Sequence, residues 1–438
     1  MPHTRPLNVT LRQQRARRRR GPRRHAQAGS GTLPVLLILL MALALMQLYS
    51  QRTLVFEQRS VANQVRAAWA TEAAEAGLHW ALAQLNRSGS VDASCLPLTT
   101  SPSGATGLRE RLLRTDAGSG ALAAVADVGA ACVLDGSWRC SCPDTGAATL
   151  AAPGDELNHP AFSIRLQDGP GDTTKQGLVR LLVTGCSHWS AGCGGSGAAD
   201  ARTELRSLIA PFGQLLRPPG AAITALGPVT LGAATWLVNG DADSGGLTAR
   251  SAAVITADPA GRLLGPPGRP PAATLSANDS GLTGGDTFWR RHFGVARNTL
   301  RDLPTLHRVA CPGGACGGGE VQAALDAGHR NLWLQGDLNL ASPVRWGDNS
   351  RGLLLVVDGA ATWQGALEID ALVVANSLLW QGPAAGVARL RGAVLSLGAV
   401  ELQGTVEIVR DRVLLDRLRN AVGVYALVPG SWQDFVNR

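Results

Sequence analysis

The chain has 438 residues, eight cysteines and a net charge of +8, and its length allows two or three domains. Residues 1–28 hold nine arginines and no acid, and the rest of the chain has 32 basic and 33 acidic residues. The excess charge therefore belongs to a leader, and we expect no nucleic-acid partner. The 53 glycines favour short strands and tight turns over a helical body.

An uncharged apolar stretch of about 17 residues follows this leader, over residues 33–49. At ~1.5 Å per residue it approaches the ~30 Å of a bilayer core. Flanking arginines on its N-terminal side predict a single-pass inner-membrane protein with a cytoplasmic N-terminus and a periplasmic bulk. A secretory signal would place its cleavage site after the apolar core, whereas Gly29 and Gly31 precede it. We therefore expect the stretch to remain in the mature protein; a plain unprocessed anchor is the alternative.

The helical pattern continues to residue 86, so that residues 32–86 form one long helix. Two apolar stripes follow three- and four-residue steps: Val61, Val65, Trp69, Ala73, Ala76, Trp80 and Ala83; and Leu78, Leu82 and Leu85. We expect the first stripe to pack on the chain's own β-domain or on neighbouring copies of such helices.

Several motifs here resemble PilX-type minor pilins, which are type IV pilus assembly proteins. They are GSGTLPVLL at 29–37, EQR at 57–59, ANQ at 62–64 and, most specific, ATEAAEAGL at 70–78. The resemblance implies a leader, residues 1–31, removed after Gly29 or Gly31 by a prepilin peptidase. It implies partners as well: other minor and major pilins, and inner-membrane lipid. The expected assembly residues on the helix are Leu36, Leu39, Leu43, Val65, Trp69, Ala76 and Trp80.

One departure from the family concerns the start of the helix. Major pilins carry a glutamate shortly after the cleavage site, and residues 32–37 contain no acid. This absence favours insertion of a single copy in a priming or tip complex over repeated incorporation into a shaft. The pilus tip or the cell surface is a further expected location.

The cysteines suggest disulfides that close small loops, as expected in an oxidising compartment. The close neighbours are Cys140/Cys142, Cys186/Cys193 and Cys311/Cys316. A zinc site is the alternative, although Cys140-x-Cys142 is too tight for a zinc knuckle. We predict no metal and no cofactor. Residues 87–155 are interpreted as a disulfide-stapled connecting loop with a short helix at 108–113.

Strand patterns begin in residues 156–216. Runs at 162–167, 177–186 and 201–211 predict a pilin-like β-meander. Residues 217–330 are a Gly/Pro-rich β region with a short helix at 286–294, capped by Asp286 or Thr287. Its aromatic residues Phe288, Trp289 and Phe293 form either a partner-binding knob or a patch docked on the chain's own core.

A loop within this region resembles the start of a calcium site. Asp241 and Asp243 are spaced as in an EF-hand, but Ala252 occupies the position of the closing glutamate. A simple Asn/Asp/Gly turn explains these residues equally well.

Residues 331–438 contain an irregular repeat, Leu/Trp-Gln-Gly, at 334–336, 363–365, 380–382 and 402–404. Together with strand runs at 353–358, 367–375, 387–397 and 400–409 it predicts a β-solenoid-like stack of short strands, followed by a helix at 411–422. The ending VPGSWQDF at 428–435 and residues 288–294 also resemble longer PilX-like proteins. The expected fold is α+β, mainly β after the N-terminal helix.

Three functions compete on this basis. The first is a non-enzymatic minor pilin of type IV pilus assembly. The second is a membrane-anchored periplasmic solenoid that acts on or binds polysaccharide, for which Glu368 and Asp370, two residues apart on one strand, are a weak carboxylate pair. The third is a self-polymerising scaffold. We expect no enzyme, because no nucleophile–base pair is visible.

Overall fold

The computed structural model describes residues 32–102, 104–116, 120–154, 158–170, 177–195, 201–348, 352–386 and 388–434. The predicted leader, with both cleavage glycines, lies outside them. Contacts divide the chain into two units, Met1–Ala62 and Asn63–Arg438. The described helices are α1 (Thr32–Leu85), α2 (Leu108–Leu112), α3 (Asp286–Phe293), α4 (Arg297–Arg301), α5 (Gly318–Asp326) and α6 (Arg412–Ala421). An apolar N-terminal helix followed by a mainly β body agrees with the α+β expectation at this level.

The first β layer is a six-stranded antiparallel sheet and a small hairpin. The hairpin pairs β1 (Leu113–Thr115) with β2 (Leu122–Ala124). The sheet has the order β23-β7-β6-β5-β3-β4. Its strands are β3 (Gly129–Asp135), β4 (Ser137–Ser141), β5 (Ala161–Asp168), β6 (Val179–Cys186), β7 (Arg202–Phe212) and β23 (Val424–Leu427).

Strands β5, β6 and β7 lie where the alternating patterns predicted strands. The loop interpretation of 87–155 is wrong, because this region supplies β1 to β4. Strand β3 begins with a glycine and two alanines, whose intrinsic strand propensity is weak. Pairing of β3 with both β4 and β5 makes it a strand.

The second layer is a curled sheet of 15 strands, and all its pairings are parallel. Its strands are β8 (Ile223–Ala225), β9 (Val229–Leu231), β10 (Thr235–Val238), β11 (Ala249–Ser251), β12 (Ile255–Ala257), β13 (Arg262–Leu264), β14 (Leu275–Ser276), β15 (His307–Cys316), β16 (Asn331–Leu340), β17 (Arg345–Trp346), β18 (Leu353–Gln364), β19 (Glu368–Gln381), β20 (Ala388–Ser396), β21 (Val400–Gln403) and β22 (Val406–Arg410).

The stacking order of these strands differs from their order in the chain. Strands β20, β21 and β22, which come last, pair with β8, β9 and β10, which come first. On its other side β20 pairs with β19, which continues through β18 and β16 to β15. The regions predicted as 217–330 and 331–438 therefore contribute to one sheet.

Aliphatic ladders fill the interior of this sheet. One ladder runs in register through Leu332, Leu355, Val373, Val394, Ile223 and Ala249. Three members of the Leu/Trp-Gln-Gly repeat stack as expected, with Trp363 beside Trp380 and Trp380 beside Leu402. The fourth does not, because Leu334 faces Val357 and Leu340 takes the place beside Trp363.

Helices α3, α4 and α6 cover one outer surface of the parallel sheet. Phe288, Trp289 and Phe293 of α3 lie in one buried cluster with Leu414 and Leu418 of α6. Helix α6 begins at its cap Asp411, whose carboxylate accepts the Leu414 N–H at 3.0 Å. Helix α3 has Gly285 at its N-cap, so the predicted caps Asp286 and Thr287 are wrong.

Candidate assembly helix

The first half of α1 is apolar and exposed. The predicted assembly residues Leu36, Leu39 and Leu43 are 62%, 57% and 50% exposed. Within the described residues, α1 is the one helix that is long and apolar enough to cross a membrane. The mean hydropathy of its most apolar 18-residue window is 2.2, and no residue of that window is buried. Its 54 residues correspond to about 80 Å at ~1.5 Å per residue. Length and composition therefore suffice for a membrane span.

The second half of α1 buries a narrow face on the antiparallel sheet. The members of this face are Ala70, Ala73, Ala74, Gly77, Leu78, Ala81 and Leu85. They recur at three- and four-residue steps, as the packed face of a helix does. Leu78 shares a buried cluster with Phe162 of β5 and Val183 of β6. The small side chains bring the helix backbone close to the sheet.

The stripe predicted from the sequence is displaced from this buried face. Val65 and Trp69 remain 43% and 37% exposed. Ala76 and Trp80 are half-buried at the edge of the face, and the Trp80 ring lies 5.6 Å from that of Phe162. The stripe therefore does not pack on the sheet as one surface, and Trp69 is available to another molecule.

Two glycines set the distance between α1 and the sheet. A Cβ at Gly77 would lie 2.7 Å from Val183 Cγ1 and 2.8 Å from the Phe162 ring. At Gly185 of β6 a Cβ would lie 2.5 Å from the Ala74 nitrogen and would collide with the Ala70 carbonyl oxygen. The sequence pattern gave neither Gly77 nor Gly185 a role in packing. A glycine inside a strand pattern indicates close backbone approach, and this signal could have found Gly185.

Four disulfides join all eight cysteines, in the pairs Cys95–Cys142, Cys132–Cys140, Cys186–Cys193 and Cys311–Cys316. The last two were expected from the sequence. The suggested Cys140/Cys142 pair is wrong, because the β3–β4 register places Cys132 directly opposite Cys140. Cys142 follows β4 and bonds Cys95 instead, which joins the segment after α1 to the sheet.

The loop that resembles the start of a calcium site is held by arginines. Asp241 pairs with Arg410 at 2.6 Å, and Asp243 pairs with Arg412 at 2.8 Å. Asn239 holds the turn by donating to the carbonyl oxygens of Gly220 and Leu247. No group of three or more His, Cys, Asp or Glu residues that could hold a metal occurs in the described part of the chain. The turn interpretation explains this loop.

The aromatic residues of α3 dock on the chain's own core. The Trp289 ring lies 5.6 Å from that of Trp333 on β16, so the cluster is not an exposed knob. Burial also lowers the pKa of the neighbouring His292 to about 4. Its Nδ1 lies 2.9 Å from the Arg217 carbonyl oxygen. The neutral ring therefore carries its proton on Nδ1 and donates it to that carbonyl.

The two carboxylates of β19 have separate environments. Glu368 is exposed and pairs with Arg345 at 3.5 Å. Burial raises the pKa of Asp370, an effect that nearby Arg391 partly offsets. Among the described contacts Glu368 forms an ion pair and Asp370 forms none, so the two carboxylates do not behave as a matched pair.

Comparison with known proteins adds no further constraint: no protein-family model, curated protein or solved structure matches the chain. The functional argument therefore depends on the residues and their geometry. We call the folded β-rich part of the chain that follows α1 the head. Ala76 and Trp80 lie against it, while five other assembly residues stay exposed: Leu36, Leu39, Leu43, Val65 and Trp69.

We expect Gly185→Ala to lower the free energy of unfolding by about 1–3 kcal/mol, because the added methyl group meets backbone atoms that cannot move aside. Chemical denaturation of the full-length protein in detergent, followed by tryptophan fluorescence, measures this change. Gly319→Ala is the control, since nothing lies within 4 Å of the place that its added methyl group would take. Equal stability of the Gly185 variant and the wild type would contradict the close approach.

The two tryptophans of the predicted stripe should behave differently. Trp69→Ala should lower the free energy of unfolding by less than Trp80→Ala does, since Trp69 is 37% exposed and is not a buried member of the packed face. Trp80→Ala should cost about 2 kcal/mol, because it removes a half-buried ring from Phe162. The same denaturation assay compares them. Equal losses would restore the single-stripe interpretation.

Proposed function

We propose that the protein is a non-enzymatic, minor-pilin-like subunit that takes part in type IV pilus assembly, in its priming or tip complex. The observation that carries the proposal is the pair of surfaces on α1. Its first half is apolar and exposed, and its second half is fixed to a β-sheet by small residues. Such a helix can enter a bundle of similar helices in or next to the membrane while it holds a folded head.

The head supports the proposal at the level of fold. We infer that β5, β6 and β7, which are successive and antiparallel with α1 packed on them, are a pilin-like meander. We infer also that the parallel sheet is a short β-solenoid. Three strands in a row, such as β8, β9 and β10, enter three different stacks, as successive sides of one coil would.

Two independent features support a location. The arginine leader favours a cytoplasmic N-terminus under the positive-inside rule, and four disulfides favour an oxidising compartment for the head. We therefore propose a single-pass inner-membrane protein with a periplasmic head, whose partners are pilins, a prepilin peptidase and lipid. The head is large, and residues 32–37 contain no acid that could pair with a neighbouring subunit. Both features favour a single copy at the tip.

A second candidate function, polysaccharide binding, is favoured by one exposed row of the parallel sheet. Arg389 bonds Glu407 at 2.6 Å. Glu407 lies in register with Trp236, over which Arg262 stacks at 4.7 Å. Aromatic faces beside ion pairs can bind sugars, and Trp236 is 37% exposed. This candidate needs neither leader removal nor pilin partners.

Leader removal distinguishes the two candidates. We expect the full-length protein, expressed with a prepilin peptidase and purified from membranes, to lack residues 1–29 or 1–31 by intact mass. Expression without the peptidase, and the double variant Gly29→Leu/Gly31→Leu, should retain the leader. A wild-type chain that keeps residues 1–28 in the presence of an active peptidase would exclude the processed-pilin proposal and leave the anchored solenoid.

Leu39→Arg tests the role of the apolar half. A charge near the middle of a span costs about 2.5–3.5 kcal/mol, so the variant should insert poorly or fail to join the assembly complex. Membrane fractionation and co-purification with pilins measure both steps. Leu39→Phe is the matched control because it preserves hydrophobicity. Normal insertion and co-purification of the arginine variant would argue against a membrane or bundle role for this half.

A further inference from the structure

A cavity of about 380 Å³ lies where several segments of the head meet. Its walls come from the residues after α1, from α2 and β1, from the start of β16, and from α6. All of these segments belong to the unit Asn63–Arg438. The volume is in the range of small-ligand sites.

Positive charge dominates the wall of this cavity. Five arginines line it against one acid, Glu110; the arginines are Arg87, Arg109, Arg114, Arg330 and Arg417. Glu110 is already engaged, since its carboxylate accepts the Gly107 N–H at 3.2 Å. Among the described lining residues, guanidinium groups therefore outnumber carboxylates.

Arg109 differs from the others because it holds the fold together. It donates to the carbonyl oxygens of Asn420 and Gly423 and lies 4.6 Å from the centre of the Tyr425 ring. Burial lowers its pKa. By contrast, Arg87, Arg114 and Arg417 make no side-chain hydrogen bond or ion pair with the residues that the structure describes. These three are free to meet a ligand.

Unsatisfied buried polar atoms supply an independent second observation. Asn331 and Thr305 belong to the wall of the cavity, and their buried Oδ1 and Oγ1 atoms have no hydrogen-bond partner. The Asn331 amide orientation is fixed, because its Nδ2 donates to the carbonyl oxygens of Thr305 and Ala421. Leaving such atoms unpaired in a buried site is unfavourable. A ligand hydroxyl can donate to Asn331 Oδ1 and pair with Thr305.

We propose that this cavity binds a small hydroxylated anion, the chemistry of an acidic sugar that carries a carboxylate or a phosphate. Arg114 and Arg417 hold the oxyanion, since guanidinium groups bind carboxylate and phosphate through paired hydrogen bonds. Asn331 and Thr305 form hydrogen bonds with the hydroxyl groups of the ligand. The inference does not depend on the pilus proposal, because it uses no residue of α1.

Calorimetric titration of the full-length protein in non-ionic detergent tests this inference. The probes are D-glucuronate, D-glucose 6-phosphate, inorganic phosphate and neutral D-glucose. We expect saturable binding of the glucuronate or the sugar phosphate, and the tighter of the two identifies the oxyanion. Binding should weaken at higher salt. Neutral glucose should not bind, and inorganic phosphate should bind more weakly than the sugar phosphate.

Variants assign the binding to the cavity. Arg114→Gln/Arg417→Gln should weaken binding of the acidic sugar at least about tenfold, because two charge-assisted contacts are lost. Arg290→Gln, an exposed arginine on α3, is the matched control and should bind as the wild type does. Thr305→Val should weaken binding of the sugar but not of inorganic phosphate. Unfolding midpoints confirm that each variant is folded.

Three results would overturn the inference. They are absence of saturable binding of both acidic sugars to the wild type, unchanged binding by the double arginine variant, and equal binding of neutral glucose. Equal affinity for inorganic phosphate and the sugar phosphate would remove the role given to Asn331 and Thr305.

Discussion

The close contact between α1 and β6 is the constraint on which the head depends. Ala70 and Ala74 of the helix approach Gly185 so closely that no side chain fits between them. This contact places β6 under the helix, with β5 and β7 on either side. At the end of α1, Asn86 donates to the Tyr425 carbonyl at 2.9 Å and accepts the Tyr425 N–H at 2.6 Å. The helix thereby positions the C-terminal strand β23, which pairs with β7.

A second constraint follows from the order of the parallel stack. Strands β8, β9 and β10 pair on one side with the nearby strands β11, β12 and β13. Their partners on the other side, β20, β21 and β22, are available only when residues 388–410 have been made. Bringing such distant segments together makes folding slow relative to a fold of local contacts. Three disulfides span only 5 to 8 residues, so they stabilise local turns and leave the distant pairing to the ladders.

Strong local patterns predicted much of this structure. The helix end near residue 85, strands β5 to β7, strand β20 and helix α6 all lie within a few residues of their expected positions. Strands β18 and β19 begin where expected but run six residues further. The failures share a cause in non-local contacts. The Cys132–Cys140 pair depends on a strand register. The stacking of β20 on β8 depends on residues far apart in the chain, and the packed face of α1 depends on Gly185. The tryptophans misled because large apolar residues dominate a periodicity pattern, whereas the sheet accepts only small ones at its closest approach.

The arginines of the head divide according to what they contact, and this division separates structural from ligand-binding charge. Arg111 is buried and donates to the carbonyl oxygens of Val91 and Cys142, and Arg410 donates to the Pro219 carbonyl and to Asp241. Backbone acceptors offset the cost of taking such groups out of water. Arg114 and Arg417 have no acceptor of this kind among the described residues. Each of these two guanidinium groups therefore either keeps its water or exchanges it for an anion.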